Sequence, residues 1–166
     1  MSILKRRQFL SRMWGVGGAF VALAGAWTTW DLLRPGETTG FGGKIRTLPP
    51  EAVPETGVLE VPAARSYLVR IDGEIRALSR KCTHLGCGVP YCESSSQFEC
   101  PCHGSNFNRA GEWVAGPAPR GMDRYPTTVE DGLVYIDTGE VIDGPPPGTE
   151  TIQDSPTGPM CEAEGH

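Results

Sequence analysis

The 166-residue sequence predicts an all-β domain carried on one N-terminal transmembrane helix. Three observations predict it. Two Asp-Gly pairs, Asp72-Gly73 and Asp131-Gly132, each sit between short runs of apolar and β-branched residues. Glycine (22) and proline (15) make up over a fifth of the chain, a content that suits loop-rich β structure better than a helical bundle. Met13 to Trp30 runs eighteen residues without a charge.

The N-terminal element comes first. As a helix, the Met13–Trp30 segment would span roughly 27 Å, close to the ~30 Å hydrocarbon core of a bilayer. Trp14 lies near one end and Trp27 and Trp30 near the other, where interfacial aromatics collect. Residues 1–12 hold Lys5, Arg6, Arg7 and Arg12 and no acid. By the positive-inside rule that end faces the cytoplasm and the rest of the chain lies outside. Lys5-Arg-Arg-Gln-Phe-Leu10 resembles a twin-arginine export signal. A cleavable signal peptide is the competing reading, with Ala22-Leu-Ala24 as its cutting site. The apolar run continues through that site to Trp30, which favours an uncleaved anchor over residues 13–30.

Residues 31–43, with four glycines and a proline, read as a flexible linker. From Asp31 onward there are eleven basic and twenty acidic residues, a balance of −9. That excludes nucleic acid as a partner, because phosphates demand a basic face. The folded domain is expected over residues 44–142. Its hairpins are Tyr67–Ile71 with Glu74–Leu78, and Thr127–Glu130 with Leu133–Ile136, each joined by an Asp-Gly turn. Residues 143–166 carry five prolines, five acids and no lysine or arginine. They read as a tail, mostly disordered or wrapped over the surface.

Between the hairpins lies the chemistry. Four of six cysteines and two of three histidines fall in two short stretches, Cys82-Thr-His-Leu-Gly-Cys87 and Cys100-Pro-Cys-His-Gly-Ser105. The loops stand twelve residues apart, and six side chains compete for a four-ligand site. A structural zinc site of two cysteines and two histidines is one reading. Against it, each loop mixes cysteine with histidine and carries a surplus cysteine.

At these residues the sequence resembles the Rieske iron–sulfur proteins, most closely those of cytochrome bc complexes. The match covers every signature position of both loops. The resemblance implies an antiparallel Rieske-type domain with a small cluster-binding subdomain and one 2Fe–2S cluster. Cys82 and Cys100 would hold the inner iron, and His84 and His103 the outer one. Cys87 and Cys102 would form a disulfide, which suits a chain exported from the reducing cytosol. Ser105 would donate a hydrogen bond to a bridging sulfide. Gly116-Pro-Ala-Pro119 would be the proline-rich loop covering the cluster. Two residues past Ser105 the family has a tyrosine that donates to a cysteine sulfur. Here the residue is Phe107, so one donor is missing and a potential low in the family's range is expected.

Histidine ligation explains the use of such a centre. Replacing two thiolates by neutral imidazoles removes negative charge and lifts the potential to about −150 to +300 mV, against roughly −400 mV for plant-type clusters. An iron-bound imidazole also keeps a second ring nitrogen whose basicity follows the iron charge, so electron and proton uptake are coupled. The resemblance therefore implies a membrane quinol as donor, with His103 and His84 as the reacting edge and menaquinol favoured over ubiquinol. It implies a cytochrome b-type subunit and a c-type cytochrome as partners. The setting is the lipid bilayer of a prokaryotic cytoplasmic membrane, with the cluster domain on the outer side. The small subunit of another exported oxidoreductase, such as an arsenite oxidase, is the alternative. Cys92 and Cys161 stand outside the motif. A second disulfide, free thiols and an intermolecular link are all compatible with the sequence.

Overall fold

A computed structural model describes residues 6–33, 42–153 and 155–161. The chain divides after Thr38 into two compact units. The first holds helix α1, Arg6–Leu33, with no buried residue. At 1.5 Å per residue its 28 residues span about 42 Å. Length and composition suffice to cross a membrane. The helix takes in Arg6, Arg7 and Arg12 before the apolar run, and continues through Asp31–Leu33, which the sequence assigned to the linker. Leucine is a strong helix former, and Asp31-Leu-Leu33 holds no glycine or proline to stop the helix there. The remainder of the expected linker, residues 34–41, lies outside the described residues, as do Lys5 of the export motif and His166.

The second unit is antiparallel β structure in three small sheets. β1 (Lys44–Arg46), β11 (Leu133–Asp137) and β10 (Thr127–Glu130) form one. β2 (Leu59–Val61), β3 (Ser66–Ile71), β4 (Glu74–Ser79) and β9 (Arg124–Tyr125) form the second. The third joins β5 (Tyr91–Cys92), β6 (Gln97–Glu99), β7 (Asn106–Phe107) and β8 (Trp113–Ala115) in sequence order.

Both expected hairpins are present, with β3, β4 and β11 each one residue longer than the sequence suggests. Asp72 and Gly73 have φ of 51° and 81°, and Asp131 and Gly132 of 51° and 73°. Positive φ at both central residues is the type I′ requirement, which matches the twist of the flanking strands.

The sheet β2–β3–β4–β9 is the middle layer. Tyr67, Val69 and Ile71 on β3 join Leu78 on β4 in one core with Val89, Phe98, Phe107 and Met122. Leu68 on β3 and Ala77 on β4 join a second core with Val53, Ala64, Val134 and Ile136. Alternation by two along a strand sends successive side chains to opposite faces. A strand apolar on both faces, such as Tyr-Leu-Val in β3, is therefore central. The third sheet packs on one face of this layer and presents the loops that carry the cysteines and histidines.

The chain beyond Asp143 returns along the domain. Gly144 N–H donates to Asp123 and Gly121 N–H to the Pro145 carbonyl. Ile152 packs against the core under the third sheet. Cys161 is disulfide-bonded to Cys92, which selects one of the three states the sequence left open for this pair.

Candidate metal centre

The two cysteine–histidine segments fold as matching six-residue loops. Lys81 pairs with Gly88 just outside the first, and Glu99 with Asn106 just outside the second. Within the first, Cys82 N–H donates to Cys87 O (2.7 Å) and Gly86 N–H to Cys82 O (2.9 Å). Within the second, Cys100 N–H donates to Ser105 O (2.9 Å) and Gly104 N–H to Cys100 O (3.0 Å). Each loop is thus closed by two backbone hydrogen bonds of its own.

Those side chains sort by depth. Cys82 and Cys100 are buried and are the two free cysteines. Cys87 and Cys102 are joined in a disulfide that ties one loop to the other. Its sulfurs lie within 4.8 Å of the Cys100 sulfur. The imidazoles of His84 and His103 meet edge to face, with ring centroids 4.9 Å apart. His84 is half-buried and His103 exposed. Leu85, between the histidine and glycine of the first loop, is 70% exposed.

Burial pushes the Cys82 thiol up from its ordinary value, and the neighbouring Cys100 sulfur adds to this. The N–H groups of His84 and Leu85 work in the opposite direction. A buried thiol such as Cys82 is costly to ionise in a protein interior, and a bound metal relieves that cost because it takes the thiolate as ligand. Two buried sulfur donors and two shallower imidazoles fit a two-iron cluster with one histidine-bound iron facing outward. The same donors would also fit a single zinc, so the donor set alone leaves zinc open.

Three contacts fix the surroundings. Ser105 is fully buried, and its Oγ accepts a hydrogen bond from Ala118 N–H (3.1 Å). One partner is then in place and the hydroxyl proton is free to point elsewhere. Gly116 lies so close to the second loop that a Cβ there would meet Gly104 O and the Ser105 Cα at 2.5 Å. The Gly116–Pro119 segment is therefore seated on the loop, with Trp113 Nε1 donating to Gly116 O (3.2 Å). Thr83 Oγ1 donates to Arg120 O (2.8 Å), which ties the first loop to the end of the same segment. Phe107 is fully buried, paired across β-strands with Phe98 and Trp113.

Sequence reasoning missed Thr83, Trp113 and the role of Ala118, whose parts are played by a hydroxyl, an indole and a backbone amide with no spacing rule. It also missed two buried acids, Glu99 at the end of β6 and Glu112 in the turn between β7 and β8. The only trace of those was the pair of unassigned cysteines.

Residues 43–126 match the Rieske [2Fe-2S] domain family. The chain is 30% identical over 138 residues to the cytochrome b6-f complex iron-sulfur subunit of Chlorobaculum tepidum, covering 80% of this chain and 75% of that one. It is 33% identical over 150 residues to the cytochrome b6-f complex iron-sulfur subunit 3 of a Nostoc species, covering 80% and 84%. Among solved structures, naphthalene 1,2-dioxygenase aligns with a TM-score of 0.50 at 19% identity, over 61% of this chain and 28% of that one. That last likeness concerns the fold alone.

Proposed function

Since the chain belongs to the Rieske iron–sulfur proteins of cytochrome bc-type complexes, we propose that it takes electrons from membrane quinol and passes them to the haem of a c-type cytochrome. It carries one 2Fe–2S cluster. In this reading Cys82 and Cys100 hold the inner iron, and His84 and His103 the outer one. The observation that carries it is the gradient of depth, from two buried free thiols through the half-buried His84 to the exposed His103.

When bound, the cluster exchanges one electron at a time and makes the basicity of its imidazole ligands depend on redox state. The residues supply the rest. His103, exposed, offers a ring nitrogen to the hydroxyl of a quinol and takes up its proton. His84, half-buried, supplies the second imidazole edge. The exposed Leu85 beside it gives the approaching quinone ring an apolar surface. The Gly116–Pro119 segment and the Cys87–Cys102 disulfide keep water from the sulfur side.

Phe107 withholds the hydroxyl donor found in the family. The potential is then low in the family's range, which suits menaquinol. The partners are a cytochrome b-type subunit and a c-type cytochrome. α1 anchors the chain in a prokaryotic cytoplasmic membrane, its basic end inside and the cluster domain outside. The sequence between α1 and Gly42 supplies the connection on which the cluster domain travels between donor and acceptor.

Purification of the intact complex tests this. A co-purifying b-type cytochrome and quinol-dependent cytochrome c reduction are expected, both activity and reduced-state EPR signal being lost in His103→Ala. A molybdenum subunit in place of the b-type cytochrome would overturn the quinol reading. An unchanged cluster signal in His103→Ala would overturn the ligand assignment.

A further inference from the structure

The third sheet is built from strands of two or three residues, shorter than strands that hold themselves together. Its topology separates two ends. The Cys100–Ser105 loop joins β6 to β7 at one end. The β5–β6 turn, residues 93–96, and the β7–β8 turn, residues 108–112, lie at the other.

The returning chain crosses both turns at that far end. At the second turn, Thr151 N–H lies 3.0 and 3.1 Å from the two Glu112 oxygens, and Thr151 Oγ1 donates to Oε1. Glu112 is 2% exposed and also accepts from Asn108 Nδ2 within the turn (2.8 Å). At the first turn, Thr157 N–H donates to Ser95 O and its hydroxyl to Ser94 O. Ser94 Oγ donates to Pro159 O (2.7 Å). Gly158 sits so tightly that a Cβ would meet Ser94 O at 2.6 Å. Cys161 N–H donates to Glu99 Oε2 (3.0 Å), and Cys161 closes the disulfide to Cys92 on β5.

We propose that residues 143–153 and 155–161 form a strap that locks the Cys100–Ser105 loop by sewing together the far ends of the two hairpins which carry it. Glu99 and Glu112 are its positioning residues. Each is a buried acid that takes hydrogen bonds from the strap, so lifting the strap strips donors from both. Glu99 immediately precedes Cys100 and Glu112 closes the turn after β7, so the grip reaches the loop from both sides. Among the described residues, no hydrogen bond or disulfide joins the strap to either histidine loop. The strap therefore governs how long the cluster is retained, and leaves its potential alone. This rests on Cys100 and His103 being ligands.

The full-length protein, loaded with its cluster, tests the lock through two variants. In Cys161→Ser and in Glu112→Gln, bleaching of the cluster by a chelator is expected to run about fivefold to thirtyfold faster. Midpoint potential and EPR spectrum should match the parent in both. Hydrogen exchange should quicken across residues 97–107 and stay unchanged across β3 and β4. Bleaching within twofold of the parent in both variants overturns the lock. So does exchange that quickens equally in β3 and β4, which would mean a general loss of stability. If Cys161→Ser does not load, Glu112→Gln decides by the same criteria. The ligand assignment is read separately, from the lost signal of His103→Ala, so the two failures are distinguishable.

Discussion

Phe107 stands where the resemblance leads one to expect a tyrosine, and its surroundings set the terms of a test. It is fully buried between Phe98 and Trp113, so a hydroxyl added there enters an apolar site and must find an acceptor or be left unsatisfied at about 1–3 kcal/mol. In Phe107→Tyr the acceptor is expected to be a cysteine sulfur of the cluster. A bond that favours the more negative, reduced state by about 1 kcal/mol raises a one-electron midpoint by roughly 40 mV. A redox titration should therefore move upward, and a midpoint lowered or unchanged would count against the donor argument. The candidate site was largely legible at this scale. Two short loops that each pair cysteine with histidine at fixed intervals point to metal ligation, because packing alone imposes no such spacing. The serine and proline segments gain meaning from their distance to that motif. What was not legible is what those residues lean on. Ser105 is oriented by the Ala118 amide, and any residue except proline would supply the same N–H at that position.

Among the elements, both Asp-Gly hairpins were readable because their turns dictate residue type. The four strands of the third sheet were not, since two or three residues are too few to establish an alternation. The strap was the least legible. Its sequence is polar and proline-rich, and it is held by a disulfide and by two acids distant in sequence. The Cys92–Cys161 loop closes over a separation of 69 residues, for which chain-entropy arithmetic gives about 4 kcal/mol. The Gly116–Pro119 segment yields the sharper prediction. Gly116 has φ of 94° and no room for a Cβ against Gly104 and Ser105. Gly116→Ala therefore forces the segment off the second loop, at a cost of about 2 kcal/mol or more. Thermal unfolding should show that loss, and visible circular dichroism of the cluster should change with it. A variant with the parent's melting temperature and cluster spectrum would mean that the segment does not depend on this contact.

At the scale of the whole molecule, the chain is two units, one a helix and the other a β domain with cores of its own. α1 buries none of its residues, whereas both cores of the β domain draw on residues from Ile45 onward. Thr138 holds the start of the domain, accepting from Gly42 and Gly43 N–H and donating to Gly43 O. β1 is secured on β11, and Lys44 pairs with Glu130 at 2.7 Å. Among the described residues, nothing N-terminal to Gly42 contributes to either core, so the β domain should fold without the helix. A chain beginning at Gly42 is expected to be soluble, to take up its cluster with the absorption and EPR spectra of the full-length protein, and to melt within about 1 kcal/mol of the cluster domain in the parent, the range of changes made outside a core. In membranes lacking the parent it should fail to restore quinol-dependent cytochrome c reduction, because the anchor supplies the local concentration that a freely diffusing domain lacks. A truncated chain that aggregates or does not load would show that α1 takes part in folding. One that restores full turnover would show that the anchor is dispensable for function, and would remove the reason for the charge asymmetry between the first thirty residues and the acidic remainder.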